Sequence, residues 1–170
     1  QFPLFYQTDY KNGFSKPFVL KGLLNNKSQV RSFISFVDSS TAYFAASRAT
    51  ANYPVMNIAM SKFEKNYWSE PYFVESLQSP NFCSQPTFSI DGNTMIFSSN
   101  KIDGKTTDLY MTIKDINGIW SEPIPLDELN STGNEVSPFL FSDSIMFFAS
   151  DGVIGIGGYS LKQAEFYNGI

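Results

Sequence analysis

"KNYWSEP" (residues 65–71) and "NGIWSEP" (residues 117–123) share the string Trp-Ser-Glu-Pro, with the tryptophans 52 residues apart. A four-residue string recurring in a chain of 170 residues is the mark of an internal repeat. A third copy is decayed, "NGFSKP" (Asn12 to Pro17), with Phe14 in place of tryptophan. A fourth starts at "YNGI" (Tyr167 to Ile170). Other anchors keep the same period: "TAYFAAS" (41–47), "TMIFSSN" (94–100) and "SIMFFAS" (144–150). So do "MNIAMS" (56–61), "TDLYMT" (107–112) and "GYSLKQ" (158–163).

One full unit reads from residue 84 to 130. "SQPTFS" is a short strand opened by Pro86, which suits a first-strand position. "IDGN" (Ile90 to Asn93) is a tight turn, because Asp-Gly supplies the positive φ that a hairpin requires. "TMIFSS" is a second strand whose apolar content implies burial on both faces. "DLYMTIK" (108–114) is a third, "DINGI" turns through Asn117-Gly118, and "WSEPIPL" (120–126) is a fourth. "SLKQAEFY" (160–167) falls on a third-strand position and reads as strand. Four short antiparallel strands every 50 or so residues make a β-propeller blade.

The expected fold class is therefore all-β: a single partial propeller over residues 1–170, with about three repeat lengths. Residues 1–29 end one blade, 30–82 and 83–135 form two more, and 136–170 form an incomplete one. The fourth strand is an outer edge, where Pro71 and Pro123 remove a donor and Glu70 and Glu122 add charge against aggregation. Trp68 and Trp120 are expected to lie across the third strand or in the gap between blades.

Composition agrees. Phe (17) and Tyr (nine) are abundant and only 16% of residues are charged, a profile that suits pleated surfaces. Twelve basic residues against 16 acidic ones give a net charge of −4 with no basic cluster, so a nucleic-acid partner is not expected. No apolar run reaches the length of a membrane helix, so no direct membrane span is expected.

Candidate chemistry is sparse. Histidine is absent, which removes the commonest general base and metal ligand. The lone Cys83 lacks such a base and reads as a small buried residue near a strand start. "SIDGNTM" (89–95) resembles a sialidase Asp box, a structural turn, with its glycine one place early and no tryptophan. "DINGIWSE" (115–122) resembles the start of a calcium loop, but the closing glutamate is wrongly spaced. "GVIGIGG" (152–158) lacks the strand-then-helix context of a phosphate cradle. The sequons at Asn26 and Asn130 are given no functional weight. No catalytic, cofactor-binding or metal-binding residue is assigned.

The string "SQPTFSIDGNTMIFSSNKIDGKTTDLYMTIKDINGIWSEP", with "NEVSPFLFSDSIMFFASDGVIGIGGYSLKQ", resembles the TolB-type, WD40-like propeller repeat of bacterial envelope proteins. The likeness covers about residues 30–170 well and 1–29 more weakly. It is nearest to the propeller part of OmpA-family proteins in Bacteroidetes, some of them in secretion and gliding machinery. It departs where the aspartate kept at Asp108 becomes Asn57 and Ser160, and where Asp91-Gly92 becomes Asp38-Ser39 and Asp143-Ser144. The resemblance implies a non-enzymatic interaction scaffold in the periplasm or at the outer membrane of a Gram-negative bacterium. Its partners would be other envelope proteins in a larger complex or a longer parent chain. The OmpA-like and tetratricopeptide parts that often accompany such propellers are not in these residues, so peptidoglycan binding is not carried over. The alternative is a carbohydrate-binding or glycoside-processing propeller using loop carboxylates such as Asp103, Asp108 and Asp151.

Overall fold

The structure, a computed structural model, describes residues 6–7 (backbone only), 13–25, 30–48, 54–100, 105–152 and 157–167. Strand makes up 55% of them and helix 4%, so the chain is all-β. β1 (Tyr6–Gln7) and β2 (Phe18–Val19) form a small antiparallel pair. Sheet I joins β3 (Arg31–Asp38), β4 (Thr41–Arg48), β5 (Val55–Glu64) and β6 (Tyr67–Trp68), with β7 (Tyr72–Phe73) also on β5. Sheet II runs in order β8 (Cys83–Phe88), β9 (Thr94–Ser99), β10 (Asp108–Ile113) and β11 (Ile124–Pro125). Sheet III contains β12 (Glu135–Ser142), β13 (Ile145–Ser150) and β14 (Ser160–Glu165). All these pairings are antiparallel, and among the described residues no sheet closes on itself.

The sheets stack face to face, and the two-residue period of a strand explains how. On β9, Met95 and Phe97 point into a core shared with sheet I, where they meet Tyr43, Ile58 and Met60. Ile96, one residue out of phase, packs with Leu140, Met146 and Phe148 of sheet III. On β4, Tyr43 faces sheet II, whereas Ala42, Phe44 and Ala46 face Leu20, Leu24 and Trp68. A strand that feeds two cores has no polar face, which is why every residue of Thr94–Ser99 is buried.

The repeat is written in the backbone as well. Phe33, Gln85 and Ser137 have positive φ (51°, 59° and 55°) at successive intervals of 52 residues. Each marks a bulge where the first strand of its sheet slips against the second. Pro86 therefore does not open its strand, which begins at Cys83. It follows the bulge residue Gln85, at a break in the ladder where a missing N–H leaves no pair unmade.

The expected fourth strand over 120–126 is also interrupted. Trp120 bridges Lys114, the chain leaves the ladder through Ser121–Pro123, and pairing resumes at Ile124 opposite Met111. Sheet I does the same, pairing at Tyr67–Trp68 and again at Tyr72–Phe73.

Candidate functional site

The joints between sheets are where the repeated string acts. In both Trp-Ser-Glu-Pro copies the serine fills the gap in the ladder. Ser121 N donates to Ile113 O (2.9 Å), Ile113 N donates to Ser121 Oγ (3.2 Å), and Thr112 Oγ1 donates to Ser121 O (2.8 Å). In sheet I, Ser69 N donates to Lys62 O (2.8 Å), Lys62 N donates to Ser69 Oγ (3.1 Å), and Ser61 Oγ donates to Ser69 O (2.9 Å). A hydroxyl thus stands in for the carbonyl that an uninterrupted strand would offer, and each edge N–H keeps a partner within the protein. This role for serine was not read from the sequence. The signal available was the hydroxyl at Ser61 and Thr112, eight and nine residues before each motif serine.

The tryptophans lie in the gaps between sheets. Trp120 is 4% exposed in the core between sheets I and II, and its Nε1 donates to the Tyr43 hydroxyl of the neighbouring sheet at 3.2 Å. Lys114 Nζ sits 4.6 Å above its ring while donating to Gly92 O (3.0 Å). Burial holds the Lys114 amine below its usual pKa. Trp68 is equally buried and faces the other way along the stack, against Leu20 and Leu24. Phe63, which pairs with Trp68 as Lys114 pairs with Trp120, covers its ring at 5.4 Å. Gly22 (φ 115°) lets Trp68 come close, since a Cβ there would strike the Trp68 backbone.

Two clefts open at these joints. One, about 430 Å³, is lined by Tyr43, Met60, Tyr72, Glu75, Ile119 and Trp120, among others. It has aromatic walls, but the Trp120 ring is already covered and offers no open face on which a sugar could stack. The other, about 290 Å³, lies between Pro125–Leu129 and Ala164–Phe166, with Asp127, Glu128 and Glu165 at its rim.

Asp91, Asp115, Asp151 and Glu135 are occupied by structure. Asp151 accepts from Asn134 N (2.6 Å) and Nδ2 (3.0 Å), and the backbone bond, with the side-chain bond second, holds its pKa below the usual carboxylate range. Glu135 is fully buried and accepts from Ser131 N (3.0 Å), Ser131 Oγ (2.6 Å) and Ser150 Oγ (2.6 Å). Asp108 opens β10, and Asp103 lies outside the described residues. In the turn resembling an Asp box, Asp91 Oδ1 accepts from Ser89 Oγ (2.6 Å) and Asn93 N (2.9 Å). In "DINGIWSE", Asp115 Oδ1 accepts from Asn117 N and Ile119 N, both at 2.8 Å, so its lone pairs serve a hairpin. Asn130 bonds Leu109 in both directions, its Oδ1 accepting from Leu109 N (2.7 Å) and its Nδ2 donating to Leu109 O (3.0 Å).

Cys83 is fully buried in the core between sheets I and II. It occupies the same strand-opening place as Arg31 and Glu135, both also buried, so that place buries a guanidinium, a thiol and a carboxylate in turn. Among the described residues no group of three His, Cys, Asp or Glu side chains is placed to hold a metal ion. No described helix is long and apolar enough to cross a membrane. "GVIGIGG" lies largely, and Asn26 wholly, outside the described residues.

No protein-family model and no curated protein sequence matches this chain.

Proposed function

We propose that the chain is a run of β-propeller blades acting as a non-enzymatic protein-interaction scaffold. The observation that carries the reading is the stacking of three sheets through equivalent joints. Their first strands share a bulge at one period and touch one another: Gln85 Nε2 donates to Ser137 Oγ (3.3 Å) and Ser137 N donates to Gln85 Oε1 (2.8 Å). Between the same two strands, Leu140 N donates to Thr87 Oγ1 (3.1 Å). First strands that neighbour one another while fourth strands lie outside are what radial repetition produces.

The scaffold role is supported by where the polar groups are spent. Asp91, Asp115, Asp151, Glu135 and Asn130 each hold a turn or join two strands. Exposed apolar side chains include Phe139, Phe141 and Leu161 of sheet III, which are 57%, 66% and 75% exposed. A setting in a Gram-negative envelope, with envelope proteins as partners, rests on the resemblance of the repeat sequences. The carbohydrate reading is weaker, because Trp120 of the aromatic cleft is buried and Asp151 is held by Asn134.

The test places photo-crosslinking residues at Tyr72 and, separately, at Phe139, in envelope preparations. A discrete cross-linked protein from either position supports the scaffold. Monomer alone from both positions would overturn it.

A further inference from the structure

The hairpin that delivers Trp120 to its joint turns at Asn117-Gly118. An asparagine amide carbon can be attacked by the main-chain nitrogen of the next residue, closing a five-membered ring. The attack is easiest when glycine follows, because no side chain crowds the nitrogen. Gly118 has φ of 80°, and nothing lies within 4 Å of the place a Cβ would take. Asn117 and Gly118 are both exposed, and Ile116 beside them is fully so, which opens the turn to water and hydroxide. Two contacts hold the reacting groups: Gly118 N donates to Asp115 O (2.9 Å), and Asn117 Nδ2 donates to Asp115 Oδ2 at 3.4 Å.

Other asparagines are clamped. Asn57 is fully buried, its Nδ2 donating to Ser79 O (3.1 Å) and its Oδ1 accepting from Ser79 N (2.7 Å). Asn130 is tied to Leu109 in the same two-sided way, and Asn134 is tied to Thr107 and Asp151. None of these three is followed by glycine.

We propose that Asn117 is a self-modification site, converted by water alone to aspartate and isoaspartate. Hydroxide takes the Gly118 N–H proton, and the nitrogen bonds to Asn117 Cγ. The Cγ–Nδ2 bond breaks, and the leaving nitrogen takes a proton from water to depart as ammonia, which restores the hydroxide. A second water opens the ring at either carbonyl, giving the two acids without oxidant or reductant. Both products act on the joint. Aspartate loses the donor to Asp115 Oδ2 and sets a like charge beside it. Isoaspartate adds a methylene to the main chain between Asp115 and Ile119, whose two mutual bonds, both 2.8 Å, close the hairpin. Trp120 is the next residue and pairs with Lys114, so the change loosens its seat as the molecule ages. This goes beyond the scaffold reading and does not rest on it.

The experiment incubates the intact 170-residue chain at mildly alkaline pH, folded and in urea, and maps peptides by mass. The Asn-Gly pairs at residues 12–13 and 168–169 lie partly or wholly outside the described residues, so the gain is assigned to its residue by fragmentation. Asn117 is expected to gain about 1 Da in the folded chain. Its rate should lie within tenfold of that in urea and rise with pH, while Asn57 and Asn130 keep their amides. Asn117→Gln should show no gain at this position, because its larger ring closes slowly. In the aged chain, exchange of the Trp120 Nε1–H, which Tyr43 accepts, should quicken at least tenfold through local opening. Asn117→Asp supplies the charge without the methylene and should quicken it less. Retention of the Asn117 amide in the folded chain while the chain in urea converts would overturn the site. Conversion with Trp120 Nε1–H exchange unchanged would overturn its link to the joint.

Discussion

The indole of Trp120 and the hydroxyl of Tyr43 meet at 3.2 Å across 77 residues of chain, one from each side of a joint between sheets. Their rings are edge-on at 6.0 Å. Tyr43→Phe removes the acceptor and leaves a buried indole N–H unmatched. A loss of about 1–3 kcal/mol is expected, measured by denaturant unfolding. Trp120→Ala removes the whole wedge and should cost roughly 3–5 kcal/mol. If the tryptophan serves only a partner, neither variant will change the melting temperature of the isolated chain.

Ser121 carries the second prediction. Ser121→Ala leaves Ile113 N and Thr112 Oγ1 without their side-chain contacts, at a cost of about 1 kcal/mol. Amide exchange at Ile113 should quicken while that at Tyr110, inside the β9–β10 ladder, stays slow. Ser69→Ala should do the same at Lys62. Equal quickening across all of β10 would show that the serine does not act locally.

A cation over a covered ring gives the third. Lys114→Met keeps the apolar stem but drops the charge above Trp120 and the bond to Gly92 O, so it should destabilise by about 0.5–1 kcal/mol. In the other joint Phe63 occupies the corresponding place, so Lys114→Phe is the variant expected to recover most of the loss.

Acid should loosen the turns. Asp38, Asp91, Asp115 and Asp151 all sit below the usual carboxylate pKa, held there chiefly by bonds from Ser40, Ser89, Ile119 and Asn134 respectively. Because the folded values are the lower ones, their contribution is complete above the unfolded value of about 3.9 and fades as pH falls through the folded values. Melting temperature should therefore decline below about pH 4. Asp91→Ala and Asp151→Ala should each flatten that decline. An unchanged slope in both variants would remove these turns from the acid response.

What could be read from the sequence and what could not follow from where the signal lies. The strand Thr94–Ser99 was legible because a run that feeds two cores must be apolar or small throughout. The joints were legible because two tryptophans with the same neighbours cannot occupy unlike places in a repeat. The bulges were not. Phe33, Gln85 and Ser137 share a conformation that glycine usually signals, yet have no chemistry in common. The continuous strand expected over 120–126 failed for a related reason, since hydrophobic pattern reports which face a residue takes and not whether its ladder bond is met by a carbonyl or by the Ser121 hydroxyl. The role of Glu135 was hidden because the serines that satisfy it lie four residues before and 15 after it.

The sharing of each core between two sheets has a bearing on how such a chain changes length. No stretch of one period owns a complete interior: cutting at Cys83 and Glu135 separates Met95 from Ile58 on one side and Ile96 from Met146 on the other. An insertion or deletion of a few residues inside a strand would shift one mating surface out of phase with its neighbour. Loss or gain of one entire period brings together surfaces of the same kind. Length should therefore vary among descendants of this chain in quanta of about 52 residues, and the seams of recombination need not respect the loops.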